Sequence, residues 1–319
     1  MIQINNLSKI YGTTAALEGI SFKVERGEIV GFLGPNGAGK STTLNILTGY
    51  LSASSGSASV GGIDIYEFPD QAKRLIGYLP EQPPLYQEMR VSEYLNFVYE
   101  LKKCRLNRKK HLEEIMQVTK IRDVSDRIIA NLSKGYKQRV GIAQALVGNP
   151  PVIILDEPTV GLDPKQIIEI RNLVRNLGRD HTVILSSHIL SEVQAVCDRV
   201  VIINEGRIVA DEKTEHLTSM ADDGNDFVAK ICGPVREVTR ALREMDGVLH
   251  ADSSGERDGD AYVFRIRSAS GIDIRKSMFR MLSENDWPLV GLESVKLDLE
   301  DVFVRLTAKN SKAASGRRA

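Results

Sequence analysis

Cysteine is scarce in this 319-residue chain. Cys104, Cys197 and Cys232 are odd in number, lie far apart and form no C-x-x-C pair. That excludes a disulfide framework and a zinc site, and reads as isolated reduced thiols of a cytosolic protein. Net charge is also missing, since 42 Lys and Arg stand against 42 Asp and Glu. The electrostatic footprint of a nucleic-acid-binding protein is therefore absent, although a local basic patch remains open. Nor is there a long apolar run. The longest stretch free of formal charge, Ser41 to Ile63, is studded with Ser, Thr, Gly and Asn and cannot form a membrane span. Asn5, Asn6, Ser8 and Lys9 interrupt any apolar region near the start, so no secretory leader is expected. Any tie to a membrane must then run through a partner.

What is present is ordinary for a folded protein: 42% hydrophobic and 26% charged residues. At roughly 150 residues per domain, the length suggests two. Residues 1 to about 30 alternate as strands, with Ile2 and Ile4, then Ile20, Phe22 and Val24. Ile29 to Leu33 is a short apolar run that reads as a buried strand, followed by a glycine-rich loop and a helix from Lys40 to about Tyr50. A small hairpin is expected near Val60 to Ile65. Residues 92 to 148 turn helical, with Ser92 expected as a cap and Tyr94, Leu95, Val98 and Leu101 at helical spacing. Val152 to Leu155 has the pattern of a central parallel strand. Asp163-Pro164 opens a further helix, closed by Gly178. Thr182 to Leu185 is another strand, ending at Ser186-Ser187-His188 before a short helix. This alternation predicts an α/β core with a largely parallel sheet. Residues 220–226 read as an acidic linker. Beyond it, strand 227–232, helix 235–245, strands 248–253 and 261–267, helix 273–285 and strand 290–297 suggest a split βαβ, ferredoxin-like unit. A short helix at 299–306 and a flexible tail at 309–319 complete the reading.

Gly34-Pro35-Asn36-Gly37-Ala38-Gly39-Lys40-Ser41 satisfies G-x-x-x-x-G-K-[ST], between an apolar strand and a helix as the chemistry requires. Its glycines let backbone N–H groups converge on phosphate oxygens, and the helix dipole faces the same anion. Lys40 can reach the terminal phosphates, and the Ser41 hydroxyl can ligate Mg²⁺. Asp156-Glu157 ends the apolar 152–155 run, at the strand end where α/β sheets bind ligands. Asp156 would hold the Mg²⁺ shell, and Glu157 would orient or deprotonate the attacking water. No N-K-x-D segment is present, which argues against a guanine-reading enzyme.

These motifs, in this order, resemble the nucleotide-binding subunit of an ABC transporter over residues 1–219. The resemblance implies an α/β P-loop cassette, a RecA-like core with an antiparallel β subdomain and a helical subdomain at about 85–148. A small α+β domain at 227–308 follows. It further implies ATP and Mg²⁺ as ligands, with the phosphate loop extending to Thr42. Tyr11 matches the aromatic that stacks on adenine, Gln82 the glutamine that senses Mg²⁺ and contacts the membrane partner, and His188 the switch histidine. Gly161-Leu162-Asp163 resembles the loop that crosses to the other subunit. Leu132-Ser133-Lys134-Gly135-Tyr136 corresponds to the signature Leu-Ser-Gly-Gly-Gln, departing from it at Lys134 and Tyr136. Ser133, Lys134 and Gly135 would complete the ATP site of a second copy. The variant signature, and Asp298 to Thr307, resemble subunits of the type-two exporters, which include the gliding-motility and drug-resistance ATPases. The implied partners are a second copy of the chain and an integral membrane permease, with no nucleic acid, at the cytoplasmic face of the membrane.

Six basic residues, Lys102, Lys103, Arg105, Arg108, Lys109 and Lys110, cluster in the helical insertion. They read as a solvated face, with anionic lipid or an acidic patch on the permease as the alternative. Two other functions stay open from sequence alone. One is a soluble member of the superfamily acting on nucleic acid or ribosomes; the other is a nucleotide sensor that does not hydrolyse.

Overall fold

The computed structural model describes residues 1–215, 226–269 and 271–295. The expected linker, except Asp226, lies outside the described residues, as do the 299–306 helix, the Asp298 to Thr307 segment and the tail. The chain divides into two compact units, one spanning Met1–Thr214 and a second starting at Glu215.

The first unit is built on two sheets. β1 (Ile2–Tyr11), β2 (Thr14–Val24), β4 (Ser55–Val60) and β5 (Ile63–Asp64) form an antiparallel sheet in the order β2-β1-β4-β5. The second sheet, of six strands, uses β3 (Ile29–Leu33), β6 (Ile76–Leu79), β7 (Val152–Asp156), β8 (Thr182–Ser187), β9 (Arg199–Asn204) and β10 (Arg207–Lys213). Its order is β10-β9-β3-β8-β7-β6, parallel except for the β10 edge. β3, β7 and β8 are buried along their whole length. Their unbroken apolar runs are what a parallel strand covered on both faces demands. Ile2, Ile4, Leu7, Phe22 and Val24 of the antiparallel sheet share one core with Phe32, Leu44, Leu47 and Ile154. The Phe22 and Phe32 rings stack at 5.4 Å between centroids. Each such side chain, fully buried, contributes about 1.5–3 kcal/mol.

Helices cover the parallel sheet: α1 (Lys40–Leu47), the short α2 (Pro69–Arg74), α6 (Pro164–Leu177) and α7 (Leu190–Gln194). α7 lies hard against β3. A Cβ on Gly31 would sit 2.0 Å from Cγ1 of Val193, so only glycine admits this approach. Three helices, α3 (Val91–Leu101), α4 (Arg108–Val118) and α5 (Lys134–Leu146), make up the helical subdomain. Ser92 does not cap α3 as expected. The cap is Arg90, whose N–H donates to the Glu93 carboxylate at 2.9 Å, so the glutamate three residues on fixes the start. Part of the basic cluster is bound within this subdomain. Lys102 Nζ donates to the carbonyls of Gln144, Ala145 and Val147 at the end of α5, at 3.1, 3.2 and 2.9 Å. Arg108 pairs with Glu100 and lies 4.9 Å over the Tyr99 ring.

The second unit contains β11 (Asp226–Ile231), α8 (Val235–Glu244), β12 (Val248–Asp258), β13 (Ala261–Ser268), α9 (Arg275–Glu284) and β14 (Leu289–Val295). The strands run β12-β13-β11-β14, every neighbour antiparallel, which is the split βαβ order read from the sequence. Phe227, Ala229 and Ile231, with Phe264 and Ile266, meet Val238 and Leu242 of α8 and Met278 and Leu282 of α9. β12 runs five residues beyond its expected end. Its Ser-Gly-Glu-Arg extension lacks apolar alternation, and it pairs with β13 across a register shift between Ser253 and Arg257. There the Arg257 guanidinium lies 4.4 Å from the Tyr262 ring centroid.

Candidate nucleotide site

Central β3 ends at Leu33, and the chain turns through residues 34–39 into α1. Gly34 passes against the end of β9, where an added Cβ would stand 2.3 Å from the Ile203 carbonyl oxygen. That contact is backbone and cannot give cheaply. Gly34→Ala is therefore expected to destabilise the protein by about 1–3 kcal/mol, the usual cost of overpacking, measurable by urea unfolding.

Lys40 opens α1, yet it is buried at 6% exposure. Its ammonium folds back over the loop, donating to the carbonyls of Gly34 (2.6 Å) and Pro35 (3.3 Å), and stands 3.4 Å from Glu157 Oε1. A buried ammonium needs such partners. Glu157 follows β7 and is itself 7% exposed. Its φ of 48° is left-handed, a conformation that costs a non-glycine residue roughly 1–3 kcal/mol and that collects at functional sites. This turn, with its N–H donating to Ser186 Oγ at 2.9 Å, carries the carboxylate round to face the loop. The second oxygen, Oε2, meets His188 Nδ1 at 2.9 Å. Strand ends of β3, β7 and β8 thus bring together Lys40, Glu157 and His188, three residues that the sequence separates widely.

Asp156 ends β7 beside them, 3% exposed. Burial pushes its carboxyl above the ordinary value of 3.8, and the Glu157 and Glu81 charges add to this, while the Ser186 and Ser41 hydroxyls hold it down. Ser186 Oγ donates to Asp156 Oδ1 at 2.5 Å. The folded protein therefore binds a proton at Asp156 more readily than the unfolded chain does. In the absence of ligand, stability at this position falls as pH rises from 3.8 through the raised folded value. Asp156→Asn removes that penalty. It is expected to raise the melting temperature of the ligand-free protein near neutral pH and to abolish divalent-dependent turnover, an exchange of stability against function.

Lys40, Glu157 and His188 line a cavity of about 260 Å³, walled also by Pro35, Asn36, Gly37, Gly39, Ser41 and Thr42 of the loop and by Ala16, Glu81 and Val160, while Asp156, Gly34 and Ala38 are not part of its wall. Lys40 is the one lysine or arginine among its described lining residues. Gln82 is exposed and does not line the cavity; its neighbour Glu81 does. Tyr11 closes β1, 48% exposed, with Lys9 Nζ 5.2 Å from its ring centroid, and is also outside the lining. Glu81, Ala16 and Ser186 had no signal in the sequence beyond adjacency to Gln82, to a strand and to His188.

The remaining motifs sit at helix starts. Ser133 caps α5 by accepting from Tyr136 N at 3.4 Å, and Asp163 caps α6 by accepting from Gln166 N at 2.9 Å. Gly135 packs on the Gln166 side chain, which an added Cβ would approach to 2.6 Å, and Lys134 Nζ lies over Gly161. Tyr136, one of the two departures from the signature, donates its hydroxyl to Asp123 Oδ2 at 2.8 Å. That bond to a carboxylate pushes the phenol up from its ordinary value. Ser133, Gly135 and Tyr136 share a second recess of about 300 Å³ with Lys120, Asp123, Arg139, Gln166 and Glu169.

A phosphate-cradling loop between the central parallel strand β3 and a helix, with a carboxylate pair at the end of β7, one strand removed across β8, defines a P-loop nucleoside triphosphatase. The chain belongs to the ATP-binding proteins of the ABC transporter family, whose sequence pattern, described as ABC transporter, matches residues 17–160. It is 31% identical over 308 residues to the bacitracin transport ATP-binding protein BcrA of Bacillus licheniformis, covering 96% of this chain and 97% of that one. It is 37% identical over 313 residues to the linearmycin resistance ATP-binding protein LnrL of Bacillus subtilis (strain 168), covering 97% and 99%. Among solved structures it resembles the dimeric post-hydrolysis state of the ATP-binding cassette MJ0796 bound to ADP and Pi. That likeness has a TM-score of 0.61 at 27% identity, over 67% of this chain and 99% of the other. The chain is accordingly an ATP-binding and ATP-hydrolysing transporter subunit, with the cassette fold its motifs predicted. The comparisons give no support to the nucleic-acid or sensor alternatives.

Proposed function

We propose that the chain works as a homodimer that hydrolyses two Mg²⁺–ATP and drives export through a separate membrane permease. The observation that carries this reading is the cluster at the phosphate loop of buried Lys40 and Glu157 with the solvent-facing His188. The loop N–H groups and the N-terminus of α1 hold the triphosphate, with Lys40 turned from the Gly34 and Pro35 carbonyls onto its terminal oxygens. That movement leaves Glu157 Oε1 free to accept the proton of the attacking water, while His188 steadies Oε2. Tyr11 stacks on the base, and Gln82 relays the occupancy of the site towards the permease.

The residues present fit Mg²⁺. Ser41 and Asp156 supply a hydroxyl and a carboxylate that already interact. Among the described residues no cluster of three or more His, Cys, Asp or Glu could hold a metal. One carboxylate and one hydroxyl, completed by phosphates and water, suit Mg²⁺ better than an all-protein cage would. When bound, the ion neutralises charge on the phosphates.

The capped N-termini of α5 and α6, with Ser133, Lys134, Gly135 and Asp163 at them, present backbone N–H groups suited to the γ-phosphate held by a second copy. No helix of the described residues is long and apolar enough to cross a membrane. The likeness to the transport and resistance ATP-binding proteins BcrA and LnrL supports a peripheral place at the cytoplasmic face, on a partner that spans the membrane. The names of BcrA, for bacitracin transport, and LnrL, for linearmycin resistance, favour a drug of that kind as cargo. Co-purification after mild detergent extraction tests the partnership. A polytopic membrane protein in stoichiometric amount is expected; recovery of the chain with no membrane protein contradicts it.

A further inference from the structure

Glu192 lies on α7, outside the cavity, and has no part in the chemistry above. Its carboxylate is 5% exposed. A buried carboxylate costs several kcal/mol unless it is bonded on most sides. Oε2 accepts from Thr159 Oγ1 at 2.5 Å and from Ser187 Oγ at 3.4 Å. Oε1 faces Arg171 Nη2 of α6 at 3.9 Å, and the Arg171 Nε is buried without a hydrogen-bond partner. Ser187 Oγ in turn accepts from Ile189 N at 3.0 Å. Thr159 stands two residues after Glu157, and Ser187 immediately precedes His188.

One carboxylate oxygen therefore ties the segment that carries the water-activating glutamate to the segment that carries its histidine partner. The base of the tie is fixed as well. α7 is pressed onto β3 through Gly31 and Val193, and β3 leads directly into the phosphate loop. We infer that Glu192 is a positioning residue, which sets the relative placement of Glu157 and His188 through Thr159 and Ser187. Glu157 needs this support because its left-handed backbone is not self-stabilising. Arg171 supplies the countercharge, and its incompletely bonded guanidinium links the tie to α6, the helix that Asp163 caps.

The inference rests on the proposed role of Glu157, so Glu157→Gln is the reference variant. Loss of turnover in Glu157→Gln supports that role, and retained turnover removes it whatever Glu192 does. With that role established, Glu192→Ala is expected to lower kcat at least tenfold, towards the ~100-fold cost of a 1 Å misplacement, with KM for ATP changed less than about threefold. Glu192→Gln keeps an acceptor oxygen for Thr159 and should recover most of the lost kcat. A purely structural role would lower the melting temperature without this split and without rescue. If Glu192→Ala does not fold, Thr159→Val removes one arm of the tie at constant shape and should itself lower kcat several-fold at unchanged KM. Wild-type kcat in folded Glu192→Ala, or in Thr159→Val where the former is insoluble, overturns the inference.

Discussion

Glu157→Gln is expected to abolish steady-state ATP hydrolysis, by on the order of 10³-fold, while ATP is still bound. The magnitude follows from the range of 10²–10⁴ that a positioned general base contributes. Gln keeps the shape and one acceptor oxygen, so the contacts to Lys40 Nζ at 3.4 Å and His188 Nδ1 at 2.9 Å can be retained in weaker form. What disappears is the proton acceptor and one negative charge close to the phosphates. Affinity for ATP should hold or increase, and the ATP-bound dimer, unable to reset, should accumulate. Phosphate release assays and size-exclusion chromatography with Mg²⁺–ATP read the two effects separately. Unchanged turnover would remove Glu157 from the mechanism.

Lys40→Met is the second large effect, and it acts on binding. Lys40 is the one lysine or arginine among the described residues lining the cavity, and each hydrogen bond to a charged group is worth about 1.5–3 kcal/mol. Loss of its phosphate contacts should weaken ATP binding by roughly 100-fold, a figure that corresponds to the upper part of that range. The same change strands Glu157, 7% exposed, without its nearest cation. Removing one partner of a buried ion pair costs about 3–5 kcal/mol. Lys40→Met should therefore also be less stable, and adding Glu157→Gln to it should restore part of the loss. The two stability changes are then non-additive, as expected for groups in contact. Equilibrium nucleotide titration and urea unfolding of the three variants check both halves.

The legible parts of this protein are those whose physics is local. A phosphate loop needs glycines, a lysine and a hydroxyl within eight residues, so Gly34 to Ser41 could be read directly. Strands covered on both faces need unbroken apolar runs, which β3 and β7 supply. The second unit was readable for the same reason, since its strand and helix periods alternate, the extension of β12 beyond Ser253 excepted. What the sequence hid depends on distant contacts. Glu157 meets His188 across 31 positions, Thr159 meets Glu192 across 33, and Ser186 reaches Asp156 across 30. None of these partners carries a residue type that marks it in isolation. The Ser92 cap failed through competition, because Glu93 could reach back to the Arg90 N–H and start the helix earlier. Lys102 read as a surface charge because its three carbonyl partners come from the far end of α5.

The central claim is that the loop from Gly34 to Ser41 and the Asp156-Glu157 pair grip one triphosphate tail. A crystal structure of the Glu157→Gln protein with Mg²⁺–ATP measures this directly. Lys40 Nζ is expected within hydrogen-bond distance of a terminal phosphate oxygen, released from the Gly34 carbonyl. Ser41 and Asp156 would then be the residues that hold Mg²⁺, and Ser133 of a second copy is expected at the γ-phosphate. Nucleotide bound away from this loop, or Lys40 still folded onto Gly34 and Pro35 beside an occupied site, would contradict that claim.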